Sequence, residues 1–127
     1  MRLLVADDNA QWRDVIARLT EAHHELVGVV ERGDQILEVA ERLRPEVITL
    51  DVRMPGESGL NALPRLRRLL PKAIIIIVSA TSPPFYKEEA FARGADGYIN
   101  KSKLLSELLP MILSVRNGRM GGEQHLY

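Results

Sequence analysis

Val47-Ile48-Thr49-Leu50-Asp51-Val52-Arg53-Met54-Pro55-Gly56-Glu57-Ser58-Gly59 sets out a strand, a carboxylate at its end and a tight turn, in that order. Val47 to Leu50 is too continuously apolar for a strand with one wet face, which predicts a strand covered on both sides in a parallel sheet. Pro55, Gly56 and Gly59 then shape a turn into a helix predicted from about Gly59 to Leu70. The same alternation extends outward in both directions. Strands of the same doubly covered kind are predicted at Leu3–Ala6, Leu26–Val30, Ala73–Val78 and Gly97–Ile99. Between them Trp12, Val15, Ile16 and Leu19 follow the i, i+3, i+4, i+7 rule of an amphipathic helix, as do Ile36, Val39, Ala40 and Leu43, and later Leu105, Leu108, Leu109 and Ile112. A fourth helix is predicted from about Pro84 to Ala92, with Gly94 as its left-handed cap. The pattern is (βα)5, and right-handed crossovers then give an α/β, doubly wound, five-stranded parallel sheet. Pro64 and Pro110 fall inside predicted helices, where an interior proline costs about 3 kcal/mol, and the spacing leaves their effect open.

With 127 residues the chain is one domain's worth of sequence, able to bury a core without staples. It has no cysteine, which removes disulfides, thiolate metal sites and cysteine nucleophiles. Lys+Arg and Asp+Glu balance at 17 each, so no nucleic-acid or polyanion partner is announced. The balance hides an asymmetry: residues 1–60 hold 12 acids and 7 bases, and residues 61–127 hold 5 acids and 10 bases. The longest apolar stretch, Ala73–Val78, is far short of the roughly 20 residues that span a bilayer, so no membrane partner and a cytoplasmic location are expected. Residues 1–117 read as the domain, and residues 118–127 as a flexible tail or the start of a linker.

In an open α/β sheet, sites form beyond the carboxyl ends of the strands. The first predicted strand ends in Asp7-Asp8, the third in Asp51, the fourth in Ser79 and the fifth in Asn100-Lys101. Each alone is equally a helix cap or a solvated strand end. Together, three carboxylates without Cys or His ligands make a hard-oxygen site suited to Mg²⁺ or Mn²⁺ and not to zinc. Magnesium binds through one or two carboxylates, so one is left to react with phosphorus and give an aspartyl phosphate. Lys101 and the Ser79 hydroxyl are the matching donors for its oxygens, and the Arg53 carbonyl is a candidate metal ligand.

At this point the chain resembles a two-component response-regulator receiver domain, from Arg2 to about Gly118. The marks are Asp7-Asp8, the segment Asp51-x-x-Met54-Pro55-Gly56-x-x-Gly59, Ser79-Ala80, and Gly94-Ala95-Asp96-Gly97-Tyr98-Ile99-x-Lys101. The resemblance implies a flavodoxin-like sheet in the order 2-1-3-4-5. It implies that Asp51 is the phosphoacceptor, that Asp8, assisted by Asp7, binds Mg²⁺ with Asp51 and the Arg53 carbonyl, and that Ser79 and Lys101 contact the phosphoryl group. Tyr98 matches the family's switch aromatic, and Arg53 and Thr81 occupy positions that line the path of the hydrolytic water. The implied partner is a sensor histidine kinase. The implied output is a new surface on the fourth helix, fifth strand and fifth helix, with homodimerisation there as one use. Ser102 stands where the family often has proline, and Pro83-Pro84 should stiffen a loop that normally moves.

Two other classes compete. One is a phosphorylation-independent interaction module with the same fold, against which stands the presence of all five rim residues. The other is a Mg²⁺ phosphohydrolase, which would want a second carboxylate where Arg53 stands. The helix end Ile112-Leu113-Ser114-Val115-Arg116-Asn117-Gly118 is similar to receivers of the NarL/LuxR type, whose DNA contact is made by a helix-turn-helix output domain that this chain does not contain. The basic cluster Arg65, Arg67, Arg68 and Lys72 reads as a solvated face.

Overall fold

The computed structural model describes residues 1–80 and 86–121, with side-chain surroundings as far as Arg119. In chain order the elements are β1 (Arg2–Ala6), α1 (Ala10–Thr20), β2 (Glu25–Val30), a 3-10 turn (Gly33–Gln35), α2 (Ile36–Leu43), β3 (Val47–Asp51), α3 (Gly59–Leu69), β4 (Ile74–Ser79), α4 (Lys87–Ala92), β5 (Gly97–Asn100), a second 3-10 turn (Lys101–Lys103) and α5 (Leu104–Gly121). The strands pair in parallel in the order β2-β1-β3-β4-β5, the order that the family resemblance implies. Thr81, Pro83-Pro84 and the predicted start of the fourth helix at Pro84 lie outside the described residues.

The central strands are aliphatic on both sides because each side faces a helical layer. Side chains alternate along a strand, so Leu3, Val5, Val47, Ile74, Ile76, Val78 and Ile99 join α1 and α5 through Ile16, Leu104, Leu108 and Ile112. The alternate set, including Leu4, Ala6, Ile48, Leu50, Ile75, Ile77 and Tyr98, meets α2, α3 and α4. By the same parity Asp7, Asp51 and Lys101 continue the α1/α5 side, and Ser79 continues the other.

The expectations for β2 and Arg67 change, and the two prolines left open find their places. β2 is an edge strand and not covered on both faces: Leu26 and Val29 are 41% and 46% exposed, because strand length and composition do not reveal which strand ends the sheet. Pro64 lies inside α3 and is tolerated, since the Leu60 carbonyl that its ring deprives of a partner accepts from Arg93 Nη1 at 2.9 Å. Pro110 likewise lies inside α5, which runs on through Gly118 to Gly121, so the linker-like composition begins within a helix. Arg67 is not a solvated charge. Its guanidinium donates to the Gly94 carbonyl at 2.9 Å, the Ala73 carbonyl at 2.7 Å and Asp96 Oδ2 at 2.6 Å, lashing α3 to the segment ahead of β5. Among the described residues, no helix is long and apolar enough to cross a membrane.

Candidate functional site

The carboxyl ends of β1, β3, β4 and β5 bring the predicted rim residues together. Asp7 follows β1 and is buried, with 1% exposure, while its neighbour Asp8 is exposed. Asp51 ends β3 at 6% exposure, Ser79 ends β4 at 1%, and Lys101 opens the turn after β5 at 7%. Ligand oxygens of Asp7, Asp8 and Asp51 all lie within 4.8 Å of one another. Lys101 Nζ donates to Asp51 Oδ2 at 3.0 Å and lies 2.8 Å from Asp7 Oδ2. The ammonium thus bridges the two buried carboxylates, engaging Oδ2 of each. The Arg53 N–H donates to Asp51 Oδ1 at 3.2 Å, and the Arg53 side chain is exposed beside it. A cavity of about 560 Å³ opens here, lined by Asp8, Asn9, Trp12, Asp51, Arg53, Ser79, Ala80 and Lys101.

Local sequence fixes these placements. Asn9 caps α1, accepting from Gln11 N and Trp12 N, and its own N–H donates to Asp7 Oδ1 at 2.9 Å. Arg13 Nη1 donates to the Asp7 carbonyl at 2.8 Å, so the first turn of α1 is tied to the end of β1. Ser58 caps α3 by accepting from Asn61 N, and the Gly59 N–H closes on the Val52 carbonyl at 2.9 Å. The loop after Asp51 is braced from the other side by Gly33, whose N–H donates to the Pro55 carbonyl at 2.9 Å.

The electrostatics follow from crowding. Burial, and then the neighbouring Asp7 charge, push the Asp51 carboxyl up to about 6, against the pull of Lys101. Burial works against the Lys101 charge, but the two carboxylates outweigh it and hold the ammonium's pKa above its ordinary value. A carboxyl whose pKa is raised by folding contributes stability that is full below about 4 and is lost as pH rises through about 6. Asp51→Asn removes that dependence. In the metal-free protein the stability of Asp51→Asn relative to the parent should therefore grow by about 2–3 kcal/mol between pH 4 and pH 7.5. Urea titrations at the two pH values measure it; a difference that stays constant would show that Asp51 is solvated.

Tyr98 is 7% exposed in the core under α2, α3 and α4, and its hydroxyl is buried with no hydrogen-bond partner among the described residues. It is thus a core side chain, although β5 is an edge strand of the sheet. Thr81 lies outside the described residues. Sequence reasoning missed Trp12, read only as part of a core stripe. Its ring centroid is 5.2 Å from Lys101 Nζ, and its place in the first turn after a strand-end acid pair was the available signal.

Residues 3–113 match the family model described as the response regulator receiver domain. The chain is 38% identical over 107 residues to protein-glutamate methylesterase/protein-glutamine glutaminase 3 of Burkholderia thailandensis, covering 82% of this chain and 30% of that protein. It is 32% identical over 120 residues to the nitrate/nitrite response regulator protein NarL of Escherichia coli K12, covering 93% of this chain and 56% of that one. The crystal structure of a LuxR-family DNA-binding response regulator from Staphylococcus aureus superposes with a TM-score of 0.82 at 28% identity, over 90% of this chain and 97% of that one. The chain spans about half or less of the length of these two sequence relatives.

Proposed function

Since the chain belongs to the response regulator receiver family, and to its NarL/LuxR type, we propose that it is a phosphorylation-dependent signalling switch whose phosphoacceptor is Asp51. The observation that carries the reading is one buried carboxylate, Asp51, held between the Arg53 N–H and the Lys101 ammonium with two further carboxylates within 4.8 Å. The donor is the phosphohistidine of a sensor histidine kinase. An Asp51 oxygen forms the bond to phosphorus while the phosphorus–nitrogen bond breaks, its electron pair leaving with the imidazole. No external substrate is turned over.

Divalent metal fits the donor set: the oxygens are hard, and one from each of Asp7, Asp8 and Asp51 lies within 4.8 Å of the others. Asp7, Asp8, Asp51 and the Arg53 carbonyl would hold Mg²⁺, with Mn²⁺ as the substitute, and the bound ion would neutralise phosphoryl oxygens. The chain's own residues do the rest. Lys101 gives a cation to the phosphoryl group, and the Ser79 hydroxyl approaches it from the far side of the sheet. Tyr98, its hydroxyl buried without a hydrogen-bond partner among the described residues, follows the space that Ser79 leaves, which changes the α4, β5 and α5 surface. That surface then serves a second receiver or, in a longer regulator, a DNA-binding output domain. Exposed Arg53 covers the phosphoryl group and slows its hydrolysis, and Thr81 borders the same path.

The test is intact-protein mass spectrometry with acetyl phosphate. A phosphoryl mass gain is expected in Mg²⁺ and not in EDTA, absent in Asp51→Asn, and shorter-lived in Arg53→Ala after donor removal. No gain in the parent protein would favour a phosphorylation-independent interaction module. An unchanged half-life in Arg53→Ala would remove the role given to that side chain.

A further inference from the structure

Four residues beside Asp51 close a ring of contacts. Asp7 Oδ1 accepts from Asn9 N at 2.9 Å, and Asn9 Oδ1 accepts from Trp12 N at 3.1 Å. The Trp12 ring lies 5.2 Å from Lys101 Nζ, and Lys101 Nζ returns to Asp7 Oδ2 at 2.8 Å. Trp12 packs on the α1/α5 core and also lines the site cavity. An apolar stripe alone needs neither the cavity nor the cation, and a leucine would serve it.

We propose that Trp12 is a positioning residue for phosphoryl transfer, its indole face holding the Lys101 ammonium at the mouth of the Asp51 cavity. The proposal rests on the phosphoacceptor reading of Asp51. Lysine carries a point charge on a flexible four-carbon stem, so something must fix where that charge works. Two carboxylates do so in the unphosphorylated protein. When Asp51 takes up a phosphoryl group its carboxylate becomes an acyl phosphate, and that anchor changes chemically. The attraction between an ammonium and an indole face is untouched by the change, and it is strongest where water is scarce, as around a lysine only 7% exposed. Trp12 therefore keeps Lys101 in place before and after transfer, and Asn9, capping α1 on the Trp12 N–H, keeps Trp12 in place.

Trp12→Leu is expected to slow phosphorylation by acetyl phosphate about 3- to 30-fold, the range of a cation–π contact at 1.36 kcal/mol per tenfold. Trp12→Phe, which retains an aromatic face, should stay within about threefold of the parent. In a Lys101→Met background, Trp12→Leu should make no further difference, which a purely structural role for the indole would not predict. A second measurement needs neither donor nor metal. Trp12 is the chain's single tryptophan, so in EDTA its fluorescence emission reports on the cation beside it and should shift in Lys101→Met. A parent-like rate in Trp12→Leu, or an equal slowing with and without Lys101, would overturn the proposal while leaving Asp51 as phosphoacceptor. If the parent takes up no phosphoryl group, the reading of Asp51 fails instead, and unchanged emission in Lys101→Met would overturn the contact itself.

Discussion

Lys101→Met is expected to lower the stability of the metal-free protein by about 3–5 kcal/mol at pH 8, a fall in melting temperature of about 11–19 °C for a chain of this size. The ammonium is 7% exposed and lies 2.8 and 3.0 Å from carboxylates that are themselves buried. Removing it leaves two buried negative charges facing each other with Asp8 close by, which is the expensive way to break a buried ion pair. The exposed Arg18–Asp14 pair at 3.1 Å sets the contrast, because solvent screening reduces a pair of that kind to a few tenths of a kcal/mol. The loss should shrink towards pH 4, where Asp51, its carboxyl raised to about 6, is already neutral. It should also shrink in the double variant with Asp51→Asn. Urea denaturation in EDTA at pH 8 measures it; a loss below about 1 kcal/mol would mean that solvent screens the cluster, and would contradict the burial seen at all three side chains.

Gly59→Ala should be about as damaging, at about 3 kcal/mol or more, for a steric reason. A methyl group at Gly59 would stand 2.1 Å from the Asp51 carbonyl oxygen and 3.0 Å from its carbon, both backbone atoms with no rotamer to escape into. Relief requires the Asp51–Gly59 loop to move, and Gly33 blocks it from behind: a methyl group there would stand 1.6 Å from the Glu57 carbonyl oxygen. The displaced loop carries Asp51 and Arg53, so phosphoryl uptake should fall with stability. Gly118→Ala is the control, since nothing lies within 4 Å and the residue is in α5; there alanine should stabilise by about 0.5–1 kcal/mol. Thermal melts of the three proteins decide it, and a Gly59→Ala protein melting with the parent would mean that the loop is not pinned.

The strand ends were legible because a continuous aliphatic run stopping at Asp51 or Ser79 can be read without knowing the neighbours. Which of Asp7 and Asp8 would be buried was not, since adjacent residues differ only in the side of the strand that they continue, and that is fixed by packing against α1 and α5. The exposure of Leu26 and Val29 depends on strand order, which no single strand encodes. Pro64 needed knowledge of Arg93, 29 positions away in the chain, whose guanidinium takes up the carbonyl that the proline strands. Arg67 looked like one of four solvated charges until the Gly94 and Ala73 carbonyls and Asp96 came within reach of it.

The sheet also acts as a partition. Asp7, Asp51 and Lys101 stand at the top of the compartment shared with α1 and α5, whereas Ser79 and Tyr98 belong to the compartment shared with α2, α3 and α4. Between the compartments stands the buried aliphatic run Ile74, Ile75, Ile76, Ile77 and Val78 of β4. On the phosphoacceptor reading of Asp51 proposed above, a charge arriving there reaches the far compartment over the lip of the wall, at Ser79. Conservative trimming inside the wall, such as Ile76→Val, alters how firmly the partition stands but not what crosses it. On that reading, side chains at the lip decide whether the far compartment responds.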